Sequence, residues 1–171
     1  MRFAQKKKKH HFKFRLQNCL TSGKTLNKPP SPNYPCFMYQ AEVRIRVRYS
    51  ETDRMGYVYY GHYAQYFEVA RVEALRSLGI TYKELEDDGI LLPVYTYSVK
   101  FLKPAHYDDL LLIRTVVRKI EGARIYFDFE TFNEKNEKLN TAEVILVFFD
   151  STNNRPCQPP PAFVKLVMNA S

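Results

Sequence analysis

The chain has 171 residues, 45% apolar, 15% aromatic and 26% charged, a composition that fits one soluble globular domain and excludes disorder throughout. Its formal charge of +8 is unevenly placed: residues 1–40 carry nine Lys or Arg and no Asp or Glu, which leaves 17 basic and 18 acidic residues, a net of −1, in the rest. The folded part therefore has no global attraction to nucleic acid or anionic membrane, and neither is expected as a partner.

Residues 1–37 form a separate compositional zone, with KKKKHH at 6–11 and the proline-rich KPPSPNYP at 28–35, and are expected to be a disordered basic tail. Three readings of this tail stand: a nucleic-acid or targeting arm, an organelle transit segment, or an extension upstream of a natural start at Met38, the reading favoured here. The tail has no apolar h-region of the secretory kind. The longest unbroken apolar run in the chain, Val144 to Phe149, is far short of the ~20 residues that a membrane-spanning helix needs. Cys19, Cys36 and Cys157 show neither disulfide-framework nor zinc-site spacing, which suits a reducing cytoplasm and predicts no metal.

From Glu42 the sequence alternates, with Val43, Ile45, Val47 and Tyr49 on one face and Glu42, Arg44, Arg46 and Arg48 on the other, predicting a strand with one wet face. The stretch from Ser50 to Gly61 loses that period and contains Gly56 and Gly61, which predicts a loop. From His62 the period turns helical. Tyr63, Phe67, Ala70, Ala74 and Leu78 recur at steps of three or four, Ala64 widens the apolar arc, and Gly79 supplies the stop. Glu68 with Arg71 and Glu73 with Arg76 are spaced to pair on that helix. Thr81 and Glu84 form a capping-box pattern for a second short helix over 81–88.

Four long strands are predicted next, at 92–102, 110–120, 123–132 and 142–149. Short turn-rich connections make the last three antiparallel neighbours. PPPAFVKLVMN near the C-terminus reads as an amphipathic helix begun by proline, packing Phe163, Leu166 and Val167 onto the domain. The order of strand, loop, long helix and four strands predicts an α+β layer in which one curved antiparallel sheet of five strands wraps the helix.

The chemistry concentrates between Tyr49 and Arg71, YSETDRMGYVYYGHYAQYFEVAR. Thr52-Asp53 followed by Gly56, the run Tyr57 to Tyr60, Tyr63 opening the helix and Tyr66-Phe67-Glu68-x-Ala70-Arg71 within it resemble the 4-hydroxybenzoyl-CoA thioesterase family of hotdog-fold proteins. The likeness is greatest to the small bacterial acyl-CoA thioester hydrolases related to the Tol-Pal-associated thioesterases. FLKPAHYDD at 101–109 is similar to the family's strand-ending proline segment, with Asp108 where Gly is usual. The resemblance covers residues 41 to about 168.

The resemblance implies hydrolysis of acyl-CoA to free acid and CoA, with Asp53 as the carboxylate that attacks the thioester carbonyl or activates a water. It also implies an oxyanion donor at the helix start, the backbone N–H of Tyr60 with Gly61 beside it. The plain alternative for Asp53 is a carboxylate that caps the turn through Arg54 and Met55. His62 stands where relatives commonly carry Asn, and two readings of it are open: a general base near the thioester, or a local hydrogen bond at the helix start, the one preferred here. Glu68 is read as a surface residue, Tyr95, Tyr97 and Tyr126 as core or interface, and His106 as structural. No phosphate loop, nucleotide fingerprint or metal cluster is present in the sequence, so no cofactor beyond the substrate's own CoA is expected.

The family pattern further implies a homodimer or homotetramer with sites between protomers. Two rival functions are an acyl-carrier-protein thioesterase, with Arg44, Arg46 and Arg48 as the docking patch, and a non-catalytic acyl-CoA-binding module.

Overall fold

Alternation after Gln40 does form a strand, β1 (Tyr39–Arg46), in a computed structural model that describes residues 39–170. The predicted tail over 1–37 and the start at Met38 lie outside the described residues. Val43 and Ile45 turn inward along β1, while Glu42, Arg44 and Arg46 remain exposed. Tyr49 does not continue the inward face: it opens a single 3₁₀ turn, Tyr49–Glu51, and is 79% exposed. The cause is local, because the Glu51 carboxylate accepts the Arg48 backbone N–H at 2.7 Å and folds the chain back before another extended residue can be added.

The long helix α1 (His62–Ser77) buries Tyr63, Tyr66, Phe67, Ala70, Ala74 and Leu75, the i, i+3, i+4 stripe that burial on one side requires. It ends in a Schellman motif, with Gly79 at φ +80° donating to Arg76 O at 2.9 Å and Ile80 donating to Leu75 O at 3.0 Å. Two details differ from expectation. Ala64 faces solvent, and Arg71 turns inward instead of pairing with exposed Glu68. Its Nε donates to Tyr82 Oη at 3.0 Å, with the guanidinium 5.9 Å from that ring, so the helix that follows rather than Glu68 supplies its partner. Glu73 and Arg76 pair as spaced.

Helix α2 (Tyr82–Asp87) is held by the predicted capping box, in which Thr81 Oγ1 accepts the Glu84 N–H at 3.2 Å while the Glu84 carboxylate accepts from the Thr81 N–H at 3.4 Å. The two residues of β2 (Ile90–Leu91) precede β3 (Val94–Phe101), so the predicted strand at 92–102 is shorter than expected and interrupted by Leu92 and Pro93. β4 (Leu110–Glu121), β5 (Arg124–Phe132) and β6 (Lys138–Val147) follow. β6 begins four residues before the expected Ala142, because Asn133 Oδ1 accepts the Lys135 and Glu137 N–H groups at 3.1 and 2.9 Å and closes the hairpin early.

All pairings are antiparallel in the five-stranded sheet, ordered β1-β4-β5-β6-β3, as expected for the last three strands. β3 therefore occupies the edge beyond β6, and the segment from Leu102 to Asp109 carries the chain back to β4 on the other side. A smaller sheet, which two-residue segments with no readable period could not announce, joins β2 to β7 (Phe149–Asp150) and β7 to β8 (Arg155–Pro156). α3 (Pro161–Asn169) buries Phe163 and Val167, with the Phe163 ring edge-on to Phe148 at 5.1 Å.

The centre of the fold is the contact of α1 with the sheet, where the fully buried Phe67 ring lies 4.7 Å from that of Phe129 on β5. Phe67→Ala is expected to lower unfolding stability by about 3–5 kcal/mol in denaturant titrations, through lost burial and the cavity left behind. The exposed Glu68→Ala is expected to change it by less than about 0.5 kcal/mol.

Candidate active site

The segment before α1 is tied down at several points. Glu51, 5% exposed, accepts the Tyr66 hydroxyl at 2.6 Å with Oε2, the same oxygen that holds the Arg48 N–H. The Glu51 backbone carbonyl accepts the Tyr59 N–H at 2.9 Å, and Thr52 and Val58 form an antiparallel bridge, so the stretch between them is a short hairpin. Asp53 begins its turn. The Gly56 N–H returns to Asp53 O at 3.0 Å, and the Asp53 N–H reaches Tyr57 O at 3.0 Å. Gly56 adopts φ +80°, the left-handed bulge position at which a side chain would be strained.

A second set of bonds fastens this hairpin to the segment leaving β3. Val58 N–H donates to Ala105 O at 2.8 Å, and His106 Nδ1 lies 3.1 Å from Gly56 O. His106 is structural, as read from its place beside Pro104. The packing leaves a cleft of about 470 Å³ whose lining includes Asp53, Tyr60, Tyr63, Phe101 and Lys103. The two sequence stretches singled out separately, 49–71 and 101–109, thus meet in one place.

Asp53 is partly exposed in this cleft. Its Oδ1 accepts the Met55 N–H at 2.8 Å, so the turn-capping reading holds geometrically, and its Oδ2 accepts no hydrogen bond among the described residues. Tyr60 shares the cleft, and the Tyr60 and Gly61 backbone N–H groups donate to no acceptor among the described residues. They precede the first turn of α1, where amides without intrahelical partners carry partial positive charge. Gly61 has ordinary helical φ, and a Cβ there would sit 2.8 Å from Cε1 of the exposed Tyr59 ring, which would have to shift.

His62, the first residue of α1, is not among the cleft-lining residues; its Nδ1 lies 3.3 Å from Gln65 Oε1. Tyr126 and Tyr95 lie elsewhere, under the Lys119 ammonium and the Arg124 guanidinium respectively. Sequence reasoning missed two residues that shape the site. Tyr63, read as part of the helix stripe, is also a cleft wall, and Glu51, to which the sequence assigned no role, is the buried anchor; only its tertiary partner Tyr66 distinguishes it from its neighbours. Among the described residues no group of His, Cys, Asp and Glu could hold a metal ion, and no helix is long and apolar enough to cross a membrane.

A further groove of about 610 Å³ opens between β1 and α1, with Arg44, Arg46 and Arg48 along it and Tyr66 and Val69 on its helix side. Arg46 donates to Asp108 O at 2.5 Å, and Arg48 lies 3.5 Å from the Glu51 carboxylate.

Residues 47–167 match the model of the thioesterase-like superfamily. The chain belongs to that superfamily. It is 32% identical over 120 residues to the acyl-CoA thioester hydrolase YbgC of Escherichia coli, covering 70% of this chain and 90% of that protein. It is 34% identical over 120 residues to the chloroplastic acyl-acyl carrier protein thioesterase ATL3 of Arabidopsis thaliana, covering 70% of this chain and 63% of that one. The solved DHNA-CoA thioesterase of Staphylococcus aureus superposes with a TM-score of 0.73 at 32% identity, over 77% of this chain and 91% of that one. The hotdog fold and the class of a thioester-hydrolysing enzyme follow from this membership.

Two tyrosines give the site a pH signature. Burial pushes the Tyr63 phenol up to about 12, Asn140 beside it acting in the opposite direction. Burial, then the bond to Glu51, raises that of Tyr66 as well. Both hydroxyls stay protonated in the folded protein above pH ~10, where unfolded tyrosine ionises. Their contribution to stability is therefore full below pH ~10 and is lost as the pH rises through the folded values. Melting temperature should fall between pH 10 and about 12, and Tyr63→Phe should make that fall shallower.

Proposed function

We propose that this protein hydrolyses acyl-CoA thioesters to free carboxylic acid and CoA, with Asp53 as the catalytic carboxylate. The observation that carries the reading is the cleft itself, which holds a carboxylate with one uncommitted oxygen beside the free amides at the start of α1. In the general-base form, Asp53 takes a proton from water as the water oxygen attacks the thioester carbon. The carbonyl oxygen becomes an oxyanion held by the Tyr60 N–H, with Gly61 beside it. The C–S bond then breaks, and the departing thiolate recovers the proton. In the nucleophilic form, the Asp53 oxygen attacks the thioester carbon and the C–S bond breaks, CoA leaving as the thiolate; water then cleaves the resulting mixed anhydride, which frees the acid and the Asp53 carboxylate, and a proton from that water ends on the thiolate. An amide preorganised at the oxyanion is worth roughly 3 kcal/mol of barrier in either case. CoA supplies its own leaving group, and the mechanism uses no cofactor or metal.

His62 is assigned the helix-start role, on the support of its contact with Gln65. A cytoplasmic site of action goes with the CoA substrate and is supported by the free thiol of Cys157. The Arg44–Arg46–Arg48 groove favours a second reading, in which the acyl group arrives on an acidic carrier protein. The non-catalytic binding module has no such observation behind it.

The same reading makes the protein a homodimer or a pair of such dimers. β3 is an edge strand, and Val94, Tyr95, Tyr97 and Phe101 along it, with Leu102 just past its end, are each at least 40% exposed. An apolar edge of this kind is protected when two copies pair through it. The double variant Tyr95→Lys, Tyr97→Lys is expected to shift the species seen by light scattering from dimer or tetramer to monomer.

Thiol release from a panel of CoA and carrier-protein thioesters tests the chemistry. Asp53→Asn is expected to lose at least about 100-fold in turnover. Its melting temperature should stay close to wild type, because the Asn carbonyl can still accept the Met55 N–H. His62→Asn is expected to keep turnover comparable to wild type. Full activity in Asp53→Asn would overturn the assignment.

A further inference from the structure

The groove of about 610 Å³ between β1 and α1 shares no lining residue with the cleft, and the hydrolytic chemistry leaves it unused. Arg44 and Arg46 line it at the two-residue period of the wet face of β1, and Arg48 adds a third guanidinium just past the strand's end. Successive members of this row start from Cα atoms about 6.5 Å apart in extended chain. Arg44 has no hydrogen bond or ion pair among the described residues, and the Arg48 side chain is 75% exposed. Arg46 is held by Asp108, through the backbone carbonyl at 2.5 Å and the carboxylate at 3.8 Å.

Aromatic rings stand beside these cations. Tyr49 and Tyr107 both line the groove and are both exposed, meeting edge to face with ring centroids 5.4 Å apart. Rings that seal no core leave their faces open to a planar ligand, and stacking of this kind accepts any nucleobase. Guanidinium groups take phosphate oxygens in pairs through parallel N–H donors. A concave groove with a row of guanidinium groups and a stacking platform therefore fits a flat heterocycle that carries several phosphates. The acidic side chains of a carrier protein would engage the arginines and leave the rings without a use.

Glu51 links this groove to the chemistry. It is one of the groove's lining residues, and its carboxylate lies 3.5 Å from Arg48 Nε while accepting the Tyr66 hydroxyl and the Arg48 backbone N–H. Its backbone carbonyl holds the Tyr59 N–H at the exit of the Asp53 hairpin. A phosphate bound by Arg48 draws the guanidinium away from Glu51. The carboxylate, with a side chain only 6% exposed, then stays buried without the cation that faces it, which is costly. Relief comes by loosening the bond to Tyr66, and the hairpin loosens with it.

We propose that the groove is an effector site for a nucleoside polyphosphate, which takes Arg48 from Glu51 and slows hydrolysis at Asp53. Binding stands on the groove alone; the effect on turnover rests on the hydrolase reading above.

Calorimetry of the full chain with ADP, ATP, tripolyphosphate and adenosine reads the site directly. ADP and ATP are expected to bind, tripolyphosphate more weakly, and adenosine not at all. The double variant Arg44→Gln, Arg46→Gln and the single variant Tyr49→Ala should each weaken ADP binding by about tenfold or more. Tyr49 is exposed, so its variant keeps the test open if the arginine pair does not fold. In thiol-release assays ADP is expected to lower kcat several-fold with KM nearly unchanged, and Arg48→Gln to lower kcat by itself and to respond no further. Purely competitive inhibition, with KM raised and kcat untouched, would make the groove a seat for the substrate's own head group and overturn the effector site. No binding of ADP or ATP by the wild type, or equal binding by the variants, would overturn it too, and loss of carrier-protein turnover in the arginine variants would then assign the groove to that partner. Binding with kcat unchanged would overturn the coupling to Asp53. If the wild type hydrolyses no thioester, the hydrolase reading fails and calorimetry still decides the site.

Discussion

The bond between the buried Glu51 carboxylate and the Tyr66 hydroxyl, 2.6 Å long, is the constraint on which the site's geometry depends. A carboxylate taken out of water is costly unless its oxygens are satisfied, and here one oxygen receives both a phenol and the Arg48 backbone N–H. The result locks the end of β1 to the second turn of α1. The backbone of the same residue holds Tyr59, so one position sets both the entry to the Asp53 hairpin and its exit. A carboxylate on an unanchored loop would sample many orientations, whereas both ends of the Asp53 hairpin are tied to the buried Glu51. Precision of placement is what a transition-state interaction needs.

Work is divided between the layers around this anchor. Helix α1 presents amides at its first turn and a packing stripe after it, so the positive end of its dipole faces the cleft while Phe67 seals the core behind. The sheet supplies walls and floor. β3 ends at Phe101 against the cleft, and the segment after it returns through Pro104 to pair with the hairpin, which couples the wall to the turn that carries Asp53. The carboxylate and the free amides of the cleft thus sit on the hairpin and helix start, and its apolar wall on the end of β3.

Much of the fold was legible because it rests on period. The stripe from Tyr63 to Ala74, the Gly79 stop, the Thr81 capping box and the alternation of β1 are short-range patterns whose physical cause lies within a few residues. The misses also have local causes. Tyr49 left the strand face because a side chain two positions later bonded the backbone, and Arg71 ignored Glu68 because Tyr82 was delivered by the following helix. Two-residue strands such as β2 and β8 have no period to read.

By itself the sequence determined the order of the long elements, a glycine-bearing loop after the first strand, and the presence of a carboxylate ahead of a helix start, since each depends on neighbours along the chain. Resemblance to a family added the role proposed for Asp53, a statement that periodicity and composition could not make. Only the tertiary structure decided that residues 101–104 wall the same cleft as Asp53 and that Glu51 is the anchor. Those facts depend on which strand edges meet across the sheet, and β3 joins β6 rather than its sequence neighbour β4. Strand pairing at that separation is set by the burial of whole faces against α1, a sum over many residues that no short stretch of sequence carries.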